Sequence, residues 1–281
     1  MYERIFKFYR VEDWIKSLGY SFLGLNVYES LFITNPLLFF VGMVQSFFLF
    51  SFLFSLNDFG DHIVCKEKNF IGNLIQKFIL SKNLALLLCL IPLFLSIIPL
   101  VINFSINYFI FYLLFVIISF FYSLPGIRFR DIAVVEIICC ISFYSLIFLQ
   151  SIFFVNTKIT LVSYFLLSWV ILYTFSQEIN HQIYHLQKDK KSGRTTMMML
   201  IGNNKLLFLR ISFLISVLFG FIIYIFFSTL RIFTAIMIFF GLIRFLYVYK
   251  FNEKSNFKRL KDKLGGIIEG VLYFLLIFLK I

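Results

Sequence analysis

Acidic residues are scarce in this chain. It has 14 Asp and Glu in 281 residues against 26 Lys and Arg, a net charge of +12, and charged residues of both signs make up only 14%. A soluble domain carries about 25%, so this composition excludes a water-soluble globule. Cysteine is also rare: Cys65, Cys89, Cys139 and Cys140 are the four. Three lie in apolar runs and two are adjacent, so neither a disulfide framework nor a cysteine metal site is expected. The charged, amphipathic N-terminal stretch lacks a short apolar core followed by small residues, and no cleavable signal peptide is expected.

Apolar side chains are abundant: 61% of residues, with 42 Phe. That rules out disorder, which needs low hydrophobicity. Apolar runs of about 18–25 residues recur along the chain, the signature of spanning helices rather than of the short alternating segments of a β-barrel. The expectation is an all-α polytopic membrane protein in which residues 1–281 form a single domain.

Nine spans are predicted, over 15–34, 36–56, 83–102, 104–124, 132–155, 159–177, 206–228, 230–249 and 265–280. The first is interrupted by Gly19, Asn26 and Glu29. Breaks fall at Asn35-Pro36, the polar run 57–69, Pro125-Gly126, Asn156-Thr157, the run 187–196, and 251–264. With this layout, 23 of the 26 cations lie on one side; the other side holds only Lys158, Arg231 and Lys280. The positive-inside rule makes the crowded side cytoplasmic, with the N-terminus inside and the C-terminus outside. The excess positive charge is thus accounted for by topology and anionic lipid in the cell membrane, and no nucleic acid is needed to explain it. The loops opposite are very short, so any chemistry is expected on the cytoplasmic side.

Three polar groups stand out there. After span 2, Asn57, Asp61 and Cys65 fall at i, i+4 and i+8, one face of a continuing helix, with Asp58 beside them. After span 6, Gln182, His185 and Asp189 fall at i, i+3 and i+7. His181 and His185 near Glu178 suggest zinc, but HExxH spacing is absent, no Cys or His cluster completes a ligand set, and the loop is rich in Lys. After span 4, Pro125-Gly126 makes a turn from which Arg128 and Arg130 emerge at alternate positions, suited to bidentate phosphate contacts. Acidic helix ends together with Arg and Lys suit a divalent ion and a diphosphate, since Mg2+ favours carboxylate and phosphate oxygens. Glu136 in span 5 and Glu269 in span 9 are further intramembrane acids.

With these motifs the chain resembles the UbiA superfamily of intramembrane prenyltransferases over nearly its whole length. The family's NDxxDxxxD motif stands here as Asn57-Asp58-Phe59-Gly60-Asp61-His62-Ile63-Val64-Cys65. Its second acidic motif is matched at Glu178, Ile179, Asp189, Gly193 and Thr196. Its Y-S-x-P-P-x-R-x-K element stands as Tyr122-Ser123-Leu124-Pro125-Gly126-Ile127-Arg128-Phe129-Arg130, and its N-terminal R-P-x-x-W as Arg10-Val11-Glu12-Asp13-Trp14. Cys65, Gln182 and His185 depart from the pattern by replacing aspartates, and Cys65 and His185 are poor Mg2+ ligands.

The resemblance implies a nine-helix bundle around a central cavity and Mg2+-dependent transfer of a prenyl group from a polyprenyl diphosphate to an acceptor within the bilayer. It implies Asn57, Asp61 and Asp189 as metal ligands. Asn57, Asp58, Arg128, Arg130, Lys190 and Lys191 are implied as diphosphate contacts. Asp61, Asp189 and Tyr122 would act in catalysis, Tyr122 on the leaving group or the carbocation. The acceptor stays open: an aromatic acid, a quinone precursor, a glycerophosphate, a tetrapyrrole or a sugar phosphate. The lost aspartates motivate an alternative, a catalytically degenerate relative that binds an isoprenoid or lipid phosphate. A transporter is disfavoured, because no internal repeat or mid-membrane helix break is visible.

Overall fold

The computed structural model describes residues 2–11, 17–27, 31–66, 69–155, 158–191 and 193–227, together with 235, 238, 239 and 241–243. Every element among them is helical. In chain order these are α1 (Tyr2–Phe8), α2 (Leu18–Leu25), α3 (Leu31–Thr34), α4 (Pro36–Cys65), α5 (Phe70–Gln76), α6 (Lys82–Leu95), α7 (Ile97–Ile102) and α8 (Ile106–Ser123). A 3-10 turn, Phe129–Asp131, precedes α9 (Ala133–Val155), α10 (Leu161–Lys191), α11 (Met197–Ile201) and α12 (Lys205–Phe226).

Five segments are long and apolar enough to cross a membrane: Pro36–Cys65, Lys82–Ile102, Ile106–Ser123, Ala133–Val155 and Met197–Phe226. The span expected at 159–177 is helical from Leu161 but is not among the five. Ser163, Ser168, Thr174 and Ser176 dilute its apolar half, and the helix runs on into polar sequence. The polar run 187–196, expected as a break, is helical through Lys191.

Among the described residues, the first predicted span holds two short helices, α2 and α3. The Asn26 side chain folds back to donate to the Phe22 carbonyl at 2.8 Å and ends α2. The span at 83–102 is divided at Ser96. Pro99 has no N–H to give, and its ring would crowd the carbonyl one turn earlier. The span predicted at 265–280, most of that at 230–249, Glu269, Trp14 and the cations at 244–263 lie outside the described residues.

The chain divides into two compact units, Met1–Arg130 with Leu146–Thr157, and Asp131–Ser145 with Lys158–Ile281. Helix α9 contributes residues to both.

In the first unit, α4 is the central element. Asn35 caps it, its side-chain oxygen accepting from Leu38 N at 3.1 Å, and Pro36 fits the first helical position because its missing N–H would be unpaired there anyway. Helices α2, α4 and α9 meet at a buried hydroxyl chain, Ser46 to Ser21 and Ser21 to Ser151, at 2.8 Å each. Such small polar residues let membrane helices approach closely and satisfy one another where no water is present.

Around the other end of α4, Phe8, Phe59, Ile71, Ile75, Ala85 and Cys89 form a core that docks the N-terminal segment. Tyr9 donates to the Leu88 carbonyl at 3.1 Å. Burial, and secondarily the Cys89 thiol, raise the Tyr9 phenol above its ordinary value, so it stays a donor.

In the second unit, α10 packs along α12 through aromatic contacts: Phe165 stacks on Phe219 at 5.9 Å and Phe175 meets Phe208 edge-on at 6.0 Å. Within α10, Trp169 stacks on Tyr173 one turn later at 4.8 Å.

Candidate functional site

Helix α4 does not stop where its apolar run stops. It continues through Cys65 and ends at Lys66, whose φ of 50° is left-handed and whose N–H returns to the Asp61 and His62 carbonyls. This extension places Asn57, Asp58, Asp61 and His62 in buried positions and leaves Cys65 exposed.

Gly60 brings the extension against the end of α8. A Cβ at Gly60 would lie 2.0 Å from the Ser123 carbonyl oxygen, so only glycine permits the approach. Tyr122 is buried next to that contact. The segment beyond turns at Gly126, with φ 113°, and at Arg128, with φ 39°. A left-handed arginine is a costly conformation that its surroundings must hold in place.

Asp61 is what holds it. Arg128 Nη2 donates to Asp61 Oδ1, and Arg130 Nη1 donates to Asp61 Oδ2, in side chains that are 4–16% exposed. Arg130 Nη1 also donates to Asn57 Oδ1 at 2.8 Å, and Arg128 Nη1 reaches Cys65 Sγ at 3.1 Å.

Asp58 has a separate partner. Arg10 Nη1 donates to Asp58 Oδ1 at 3.0 Å, and the guanidinium lies 5.2 Å from the centroid of the Phe54 ring. Asn69 donates to the Asp58 carbonyl at 2.6 Å while capping α5 through Gly72 N at 2.7 Å. Sequence reasoning gave Arg10 and Asn69 no site role. Arg10 stood only as part of the N-terminal element, and nothing in local spacing links positions 10 and 58.

Two carboxylates here meet three guanidiniums, an excess of positive charge that suits an anion with several oxygens. The residues also fit a hard cation. Asn57 Oδ1 and Asp61 Oδ2 converge on one point, where the cationic Arg130 Nη1 stands. Among the described residues no three His, Cys, Asp or Glu side chains converge well enough to hold a metal by themselves. Further oxygens would have to come from a bound anion, which is how Mg2+ usually completes its shell.

In the second unit, the end of α10 is closed by a Schellman turn. Gly193, at φ 74°, donates to the Lys190 carbonyl at 3.3 Å, and Arg194 N donates to the Asp189 carbonyl at 3.0 Å. The turn carries Arg194 back over the helix end, with its Nη1 4.0 Å from Asp189 Oδ1 and its Nε 3.7 Å from Asp131 Oδ1. Asp189 is buried, Lys190 is exposed, and Lys191 is the last residue of α10. His185 is half-buried, its ring 4.5 Å from that of His181. Gln182 is buried and donates to Glu136 at 2.8 Å, a link between α10 and the start of α9 that the sequence did not disclose.

Comparison with known proteins agrees with this architecture. The fold matches a UbiA homolog from Archaeoglobus fulgidus bound to GPP and Mg2+, with a TM-score of 0.79 at 17% identity over 99% of each chain. The same homolog bound to DMAPP and Mg2+ matches with a TM-score of 0.78 at 17% identity, over 99% of this chain and 98% of that one. Its complex with Cd2+ gives 0.76 at 18% identity, with the same coverage. No curated protein matches the chain by sequence. The model of the UbiA prenyltransferase family matches residues 18–275, and the chain, a multi-pass membrane protein, belongs to that family.

Proposed function

We propose that the protein transfers a prenyl group from a polyprenyl diphosphate to an acceptor within the membrane, in a Mg2+-dependent reaction. The observation that carries this reading is the buried group of Asn57, Asp61, Arg128 and Arg130 at the end of a spanning helix. It offers exchangeable cations for a diphosphate and hard oxygens for a metal. The homologs bound to GPP and DMAPP with Mg2+ give the same pairing of ligands in a protein of similar fold.

The barrier is ionisation of an allylic C–O bond, and negative charge develops on the departing diphosphate. Arg128 and Arg130 exchange Asp61 for phosphate oxygens, and Lys190 and Lys191 add charge. Asp58 contributes through its own contacts. The Asp61 carboxylate released by this exchange, with Asn57 and Asp189, supplies the protein oxygens for the metal. When bound, Mg2+ neutralises charge on the leaving group. Tyr122 donates to that group or presents its ring to the carbocation.

The chain acts as one domain of nine spans in the cell membrane, with its N-terminus and active site cytoplasmic. The segregation of 23 of 26 cations supports that orientation.

A second reading, a non-catalytic binder of an isoprenoid or lipid phosphate, is favoured by one observation: both Asp61 oxygens are engaged by arginine. Release of pyrophosphate from geranyl diphosphate, with Mg2+ and with chelator, separates the two readings. Metal-dependent release supports transfer, and its absence in folded protein supports the binder. Arg128→Ala and Arg130→Ala should each raise KM roughly ten- to hundredfold, as expected for losing one charge-assisted hydrogen bond of about 1.5–3 kcal/mol. Unchanged kinetics in both and in the double variant would leave them a purely structural role as partners of Asp61.

A further inference from the structure

Helix α5 ends in a Schellman turn. Phe78 N–H donates to the Ile75 carbonyl at 3.0 Å, and Ile79 N–H donates to the Leu74 carbonyl at 3.0 Å. Phe78 takes the left-handed position, with φ 55°. The turn that closes α10 has Gly193 at that position. A bulky side chain there carries backbone strain that glycine avoids.

Packing within the chain does not offset the strain. Phe78 is 96% exposed. Ile79, which in such a turn commonly folds back on its own helix, is 61% exposed. Two adjacent apolar side chains are thus presented outward by a turn whose backbone is fixed.

Their place in the chain identifies what covers them. Four residues after Phe78, Lys82 opens a segment able to cross a membrane. Ser81 sets its start, the side-chain oxygen accepting from Leu84 N at 3.2 Å. The outward face of α6, with Leu84, Leu87, Ile91 and Phe94, is exposed, as lipid contact requires. The turn therefore sits where a spanning helix enters the bilayer. Lys77 and Lys82, both exposed, flank the apolar pair. Apolar tips between cations settle at the boundary of headgroups and acyl chains and attract anionic lipid. Lysine is depleted from protein–protein interfaces, which argues against a second copy of the chain as the occupant.

The inner side of α5 reaches the polar end of α4. Ile71 and Ile75 are buried against Phe59. Asn69, the cap of α5, donates to the Asp58 carbonyl at 2.6 Å. A fixed α5 therefore steadies the backbone that carries Asp58.

We propose that the turn 77–82 is a binding site for anionic phospholipid. Phe78 and Ile79 enter the acyl boundary, and Lys77 and Lys82 meet the lipid phosphates. The site anchors α5, and through Asn69 the Asp58 end of α4, to the bilayer surface. The proposal does not depend on the prenyl-transfer reading.

A nitroxide at Ile79→Cys tests it in the full chain, reconstituted in vesicles of phosphatidylcholine alone or mixed with phosphatidylglycerol. The background is Cys65→Ser, which removes the exposed native thiol; Cys89, Cys139 and Cys140 lie within spanning segments. Relaxation by oxygen reports lipid, and relaxation by a water-soluble nickel complex reports water. Labels at Leu87→Cys and Asn73→Cys give the reference values for a lipid-facing and a polar exposed position.

The label at 79 should respond several-fold more to oxygen than to nickel, as at 87, and lie deeper in the mixed vesicles. Lys77→Gln with Lys82→Gln should abolish that difference between lipids. Phe78→Gly should shift the label towards the value at 73. Glycine suits the left-handed position, so this loss cannot be ascribed to unfolding. Nickel access equal to that at 73 overturns the proposal, as does shielding from both reagents, which means a protein partner. Depth indifferent to phosphatidylglycerol in the unaltered turn, or immersion unchanged in Phe78→Gly, overturns it as well.

Discussion

The two longest helices, Pro36–Cys65 and Leu161–Lys191, begin in apolar sequence and end in polar sequence, yet they handle their acids differently. At the end of the first, Asp61 is gripped by two guanidiniums and Asp58 by a third. At the end of the second, Arg194 Nη1 stands 4.0 Å from Asp189, and the position two turns earlier holds a neutral Gln182 bonded to Glu136. The first end is built from direct ion pairs between long-range partners. The second is built from a helix-terminal turn and an amide clamp. An ion pair can exchange its cation for a metal when an anion takes the arginines, whereas the Gln182 amide contributes a neutral hydrogen bond to Glu136.

Breaking the first end should have the larger effect. Asp61→Asn leaves Arg128 and Arg130 without their shared anion in a buried setting, and should cost about 3–5 kcal/mol of stability, as for a buried pair with one partner removed. Thermal unfolding in detergent measures it. A loss no greater than that of Asp189→Asn would dissolve the contrast between the two helix ends.

Next in size is Gly60→Ala. The added methyl would sit 2.0 Å from the Ser123 carbonyl oxygen, and backbone cannot yield as a side chain can. The expected cost is about 1–3 kcal/mol, with a rise in KM for geranyl diphosphate because the segment carrying Arg128 and Arg130 is displaced. A variant with wild-type stability and KM would show that the contact does not position the arginines. A smaller stability effect than that of Asp61→Asn is expected for Asp189→Asn, because the Arg194 contact it weakens is 4.0 Å long and not a pair of direct guanidinium bonds. The same thermal measurement ranks all three.

Much of this could be read from the sequence, for reasons that differ by residue. The i, i+4, i+8 spacing of Asn57, Asp61 and Cys65 places them on one helix face whatever the tertiary structure does. Arg128 and Arg130 emerge from a Pro-Gly turn, which local chemistry specifies. By contrast, the Arg10–Asp58 pair spans 48 residues and needs a left-handed Arg10, at φ 52°. The Gly60–Ser123 approach and the Gln182–Glu136 bond are likewise products of packing. The helix end inside the first predicted span was not legible, because apolar content alone does not show that Asn26 will turn back on its own helix.

The central claim is that metal and diphosphate bind together, because the arginines must first leave Asp61. Titration calorimetry of the purified protein with Mg2+, alone and with pyrophosphate, tests it most directly. Weak Mg2+ binding alone and clear binding with pyrophosphate are predicted, with the coupling lost in Asp189→Asn. Restoring aspartate at Cys65 and His185 together should tighten Mg2+ binding without pyrophosphate. Tight Mg2+ binding by the unaltered protein in the absence of pyrophosphate, or coupling that survives Asp189→Asn, would contradict the account.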